Sequence, residues 1–100
     1  MNKKIDPAIF VDLWDIINER ANHPSEQSYT SRLLTDSKGI DKTLEKVSEE
    51  STEFIIAVKN GVRDRTVEEA SDLIFHLFVA LRAADIDLAD VINELSRRRK

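Results

Sequence analysis

The sequence has no cysteine, and only two glycines, two prolines and one tryptophan in 100 residues. The missing thiol excludes disulfides, zinc–thiolate sites and a cysteine nucleophile. Both prolines lie in the first quarter, at Pro7 and Pro24, so residues 25–100 contain nothing that breaks a helix by lacking its N–H. Strand-type alternation of polar and apolar residues is missing too, and charged residues recur at helical intervals. No apolar run approaches the length of a membrane span. The opening MNKKIDP has no apolar stretch behind its lysines, which argues against a signal peptide. Net charge is −4, and outside the SRRRK tail the basic residues are interleaved with acids. Neither a nucleic acid nor a membrane is therefore expected as a partner. What remains is a single all-α domain over residues 1–100, expected in the cytoplasm.

Apolar spacing places the helices. The first is predicted over about residues 7–21, with Asp6 as N-cap, Pro7 at the first helical position, and Ile9, Phe10, Leu13, Ile16 and Ile17 as its stripe. SRLL (31–34) reads as a short helical turn. A long helix over about 40–59 carries Ile40, Leu44, Val47, Phe54, Ile55 and Val58 and stops at Asn60-Gly61. Another over about 65–84 is broken by Asp85-Ile86-Asp87, and a last one over about 88–97 starts from Asp87 as N-cap. Residues 54–58 and 73–81 are apolar nearly all round their helices. A single hairpin cannot cover that surface, so a homodimer with a shared helix bundle is expected.

Two acidic pairs stand out. Glu50 and Glu53 lie in EESTE (49–53), and Glu69 and Asp72 lie in EASD (69–72). Each pair is spaced i, i+3, so both carboxylates leave one face of a helix. If the two helices fold back about Gly61, each pair lies roughly 14 Å from the turn, at about 1.5 Å rise per residue. Four carboxylates then meet at one level. Either half alone is more commonly a solvated acidic face, and Thr66-x-x-Glu69 also fits a capping box. Together, beside apolar runs, they would repel one another, and a hard divalent cation relieves that repulsion. Glu49 lies about 170° from the apolar stripe at 100° per residue and is expected in solvent. Glu68 is out of register with Asp72.

Lys42 and Lys46 precede Glu50 by two turns and one. They serve either as ion-pair partners along the helix, Lys46 with Glu50, or as a phosphate clamp beside a metal. SYT (28–30) with Arg32 offers hydroxyls and a guanidinium ahead of the acidic helix, as turn chemistry or as substrate contacts. His76 is expected to be packed or hydrogen-bonded, His23 to have no role, and Trp14 to be a core or dimer contact.

The order SYTSRLL, KGIDKTLEKVSEESTEFIIAVKN and VEEASDLIFHLFVAL, followed by a short helix, resembles the phosphoribosyl-ATP pyrophosphatases. These are the histidine-pathway branch of the MazG-like all-α NTP pyrophosphohydrolases. The resemblance covers about residues 9–98. It implies magnesium-dependent hydrolysis of phosphoribosyl-ATP to phosphoribosyl-AMP and pyrophosphate. By the same resemblance Glu50, Glu53, Glu69 and Asp72 match the magnesium ligands, with Glu53 or Glu50 as general base. Lys42 and Lys46 match positions near the substrate phosphates, and Tyr29 and Arg32 fall in a substrate-facing segment. The chain departs from the pattern at Ser48 (usually Gly), Glu45 (commonly Lys), Ser71 (commonly Ala) and Phe75 (commonly Tyr). No cyclohydrolase domain stands in front, so the next pathway step is expected on another chain. Two other readings remain at this stage: a house-cleaning NTP pyrophosphatase of the same superfamily, and a non-catalytic helical dimerisation module.

Overall fold

The structure is a computed structural model that describes residues 3–99. It has five helices and, among the described residues, no strand: α1 Ala8–Asn22, α2 Tyr29–Leu34, α3 Ile40–Lys59, α4 Arg63–Ala83 and α5 Leu88–Arg98. The all-α expectation is met.

Local chemistry explains the helix ends. The Asp6 carboxylate accepts from the Ala8 N–H at 3.0 Å, so α1 begins one residue after Pro7 rather than at it. Ser28 caps α2 by accepting from the Ser31 N–H at 3.1 Å, and Asp87 caps α5 through the Ala89 N–H at 2.9 Å. The SRLL turn thus extends back to include Tyr29 and Thr30. Gly61 ends the α3–α4 turn with φ +69°, a left-handed conformation that suits glycine. At the end of α4 it is Asp85, at φ 58°, that adopts the left-handed conformation. There the Ile86 N–H bonds to the Leu81 carbonyl at 2.9 Å and the Asp85 N–H to the Arg82 carbonyl at 3.1 Å, a Schellman closure. One expectation fails. α4 starts at Arg63, not near residue 65, so Thr66 lies inside its first turn and its hydroxyl donates back to the Val62 carbonyl at 3.0 Å. Thr66 is no N-cap, and the capping-box explanation of Glu69 falls with it.

The helices α3 and α4 form a hairpin, and α1 and α2 pack against α4 around Ile17, Leu33, Phe78, Val79 and Leu88. Trp14 meets Phe78 edge-on, centroids 6.2 Å apart, and so serves the core. The Ser31 hydroxyl donates to the Arg20 carbonyl at 2.8 Å and ties α2 to the end of α1. The hairpin seam is polar. The buried residues of α3 are Thr43, Glu50 and Ala57, and those of α4 include Glu69 and His76. The large apolar residues of the stripes point elsewhere: Leu44, Ile55 and Val58 on α3 and Ile74 and Leu77 on α4 are all exposed. Leu44, Ile74 and Leu77, together with Phe10 and the amphipathic α5, border a groove of about 600 Å³ whose lining includes Val91, Ile92 and Leu95.

Candidate active site

Seam positions two helical turns apart carry Thr43, Glu50 and Ala57 on one helix and Glu69 and His76 on the other. The sequence therefore buries acids where a hairpin normally buries leucine. Glu50 and Glu69 are 7% and 3% exposed. With exposed Asp72 they offer carboxylate oxygens all within 4.8 Å of one another. Glu53, also exposed, stands at the rim, close enough to Glu50 and Glu69 to act on the ionisation of both. The structure thus brings three of the four expected acids within one ligand sphere and places the fourth against it. Glu49 and Glu68 lie outside, with side chains 58% and 63% exposed.

The electrostatics of the cluster are unfavourable by themselves. Burial pushes the Glu50 carboxyl above the usual range, and the charges of Glu53 and Asp72 push it further. Glu69 is raised for the same first reason and by its contact with Glu53, against the opposing pull of Arg65. Oε2 of Glu50 and Oε2 of Glu69 are buried without a hydrogen-bond partner. Two partnerless carboxylate oxygens in an all-oxygen cluster are the donor set of a hard divalent cation, so the residues fit one. Arg65, which holds Glu69 Oε1 through a guanidinium N–H, was not singled out from the sequence, although its i, i+4 spacing to Glu69 is legible there.

A pH dependence follows. An acid whose folded-state pKa is raised stabilises the fold only in its protonated form. That contribution is complete below the ordinary carboxylate range and is lost as pH rises through the raised values of Glu50 and Glu69. A cation needs the ionised form. In EDTA the melting temperature is therefore expected to fall as pH rises out of the carboxylate range, and the increment given by millimolar magnesium to grow over the same interval. Differential scanning fluorimetry in both conditions checks this, and a magnesium increment independent of pH would count against cation binding at these acids.

The basic residues are arranged nearby. Lys46 Nζ lies 2.9 Å from Glu49 Oε2 and 3.8 Å from Glu50 Oε1, so its predicted pairing with Glu50 is present but secondary. The hydrogen bond to Glu49 raises the Lys46 ammonium above its ordinary value. Half-buried Lys42 is close enough to help lower Glu49. The unusual Glu45 binds Lys38 at 3.0 Å and so does not cancel Lys42 or Lys46 directly. Tyr29, at the start of α2, donates or accepts at His76 Nε2 over 3.0 Å, and its ring stacks on Phe75 with centroids 6.2 Å apart. Arg32 lies over the same ring at 5.9 Å and donates to the Glu26 carbonyl at 2.8 Å. His76 is buried and hydrogen-bonded, as expected.

Comparison with known proteins shows the family of the chain. Residues 10–99 match the family described as phosphoribosyl-ATP pyrophosphohydrolase. The phosphoribosyl-ATP pyrophosphatase of Methanoregula boonei is 68% identical over 96 residues, 96% of this chain and 92% of that protein. That of Methanosphaerula palustris is 59% identical over 95 residues, 95% and 96% of the two chains. A histidine biosynthesis bifunctional protein of Caldanaerobacter subterraneus is 51% identical over 88 residues, 88% of this chain but 42% of the longer protein. With the match extending over nearly its whole length, the chain belongs to the phosphoribosyl-ATP pyrophosphohydrolase family.

Proposed function

We propose that residues 1–100 act as one catalytic domain that hydrolyses phosphoribosyl-ATP to phosphoribosyl-AMP and pyrophosphate, in histidine biosynthesis, with Mg2+ as cofactor. The family membership supplies the reaction. The observation that supports the site is the pair of buried, partnerless carboxylate oxygens on Glu50 and Glu69, facing Asp72 and Glu53.

Glu50, Glu69 and Asp72 are the residues to hold the cation, with Glu53 at their rim. When bound, the cation neutralises triphosphate charge and makes the phosphorus under attack more electrophilic. Water adds to phosphorus at the α–β phosphoanhydride, its oxygen forming the new P–O bond as the bridging bond breaks. Glu53 is the better-placed base: its exposed carboxylate can reach a water, whereas Glu50 Oε2 is enclosed. Lys46 and Lys42 bind phosphate oxygens and offset the charge that accumulates on departing pyrophosphate. Tyr29 and Arg32 face the nucleoside or phosphoribosyl part.

The catalytic unit in this reading is a homodimer in the cytoplasm. The accessible surface is 7540 Å² for an 11.4 kDa chain, against about 5800 Å² for a monomer of that mass. The radius of gyration is 14.8 Å, against about 13 Å for a compact domain of 100 residues. Both excesses fit an apolar face made to meet a second copy. No described helix is long and apolar enough to cross a membrane.

Purified protein is expected to release pyrophosphate from phosphoribosyl-ATP when magnesium is present and not in EDTA. A coupled pyrophosphate assay reads this. Turnover of non-pathway NTPs in place of phosphoribosyl-ATP would reassign the chain to a house-cleaning role, and a protein inert to all of them, with no magnesium-induced rise in melting temperature, would be a binding module.

A further inference from the structure

We infer that His76 fixes the Tyr29 hydroxyl as a hydrogen-bond acceptor, so that the substrate group Tyr29 receives is an O–H or N–H donor and not a phosphate oxygen. The inference rests on the function proposed above and narrows what one of its binding residues reads.

With the imidazole neutral, the hydrogen bonds fix the polarity by elimination. His76 Nδ1 lies 2.8 Å from the main-chain carbonyl oxygen of Asp72, one turn earlier in α4. A carbonyl can only accept, so Nδ1 carries the hydrogen. A neutral imidazole has one N–H, which leaves the lone pair on Nε2. Tyr29 Oη is 3.0 Å from that nitrogen. The phenol must donate to it, and its single hydrogen is spent on the protein interior. What it presents outward is lone pairs.

The phenol is also held in place. Tyr29 stacks on Phe75 at an interplanar angle of 26°, meets the edge of His76 at 82°, and has Arg32 on its ring. His76 is 5% exposed while Tyr29 is 41% exposed, so the imidazole is a buried support and the phenol an accessible contact. Through His76, which bonds the Asp72 carbonyl, Tyr29 is tied to the helix turn that carries one of the acids. A phosphate oxygen ionised at neutral pH is an acceptor, and two acceptors in contact repel. Phosphates therefore fall to Lys42 and Lys46. Tyr29 takes one of the donors that a nucleoside carries, a sugar hydroxyl or a base N–H. His76 touches no substrate and is a positioning residue.

The test is steady-state kinetics with phosphoribosyl-ATP on wild type, Tyr29→Phe, His76→Leu, His76→Gln and the Tyr29→Phe/His76→Leu double variant. Tyr29→Phe is expected to raise KM about 2- to 10-fold, the effect of one neutral hydrogen bond, and to change kcat less. His76→Leu is expected to raise KM on its own and to add nothing in the Tyr29→Phe background. His76→Gln, whose amide oxygen can accept from the phenol, is expected to recover part of the loss, which keeps the test decisive if the leucine variant folds poorly. Substrate analogues identify the donor: one lacks a ribose hydroxyl and the other has oxygen in place of the exocyclic base nitrogen. Wild type should lose affinity for one of them, and Tyr29→Phe should not distinguish that analogue from the substrate. An active wild type with an unchanged KM in Tyr29→Phe, or additive effects in the double variant, overturns the inference alone. A wild type inert to phosphoribosyl-ATP overturns the proposed function and this inference with it.

Discussion

Glu50→Gln is expected to slow pyrophosphate release by at least about 10²- to 10³-fold and yet to melt higher than wild type in EDTA. The two effects have one cause. Glutamine keeps the shape of the side chain and removes its charge. A cation held here, as proposed, would supply several kcal/mol of transition-state stabilisation, and each ~1.4 kcal/mol is a factor of ten in rate. Without the cation the same charge is a burden: Glu50 is raised by burial and by the charges of Glu53 and Asp72, and one of its oxygens has no partner. The glutamine amide can donate to a neighbouring carboxylate where two acceptors stood opposed. The variant should also lose most of the magnesium-induced rise in melting temperature. Activity close to wild type would remove Glu50 from the site, and a lower melting point in EDTA would show that the apo cluster is not under strain from its charge.

Leu77→Asp should turn a dimer into a monomer. Leu77 is 43% exposed in the isolated chain and lies in the apolar groove with Leu44, Ile74 and Leu95. Covering a whole leucine contributes about 1.5–3 kcal/mol, so the exposed 43% of Leu77 contributes roughly 0.6–1.3 kcal/mol, and two-fold symmetry counts it twice. Losing both weakens association by about 10- to 10²-fold, before the cost of an unpaired buried carboxylate is added. Analytical ultracentrifugation at micromolar concentration should show a dimer for wild type and a monomer for the variant, with a lower melting temperature. A wild type that sediments as a monomer removes the dimer from the proposed function.

The helices were legible because their signals are local. Asp6, Ser28 and Asp87 sit two or three residues ahead of the N–H groups they satisfy, and the long apolar stripes repeat every turn. The predicted α3 range coincides with Ile40–Lys59. The start of α4 lies two residues earlier than expected because Val62, at its N-cap, has no capping side chain to mark it in the sequence. The acid pairs were legible because i, i+3 spacing fixes which face they share. Their arrangement was not. Asp72 is exposed and Glu53 sits at the rim, while Glu50 and Glu69 are enclosed, a division that depends on how α3 rolls against α4. The Tyr29–His76 hydrogen bond joins residues 47 positions apart, beyond the reach of any local pattern.

By itself, then, the sequence determined an all-α chain, the level at which two acid pairs meet, and the family to which it belongs. These follow from periodicity, capping and motif order, all properties of neighbours along the chain. Tertiary structure alone decided that the hairpin seam is polar and the large apolar residues face outward. Both faces of α3 and α4 repeat at the same helical period, so spacing shows that a face exists but not which partner it meets. Only the packing of α1 and α2 on α4 determines which face turns inward, and with it which carboxylates lose their water.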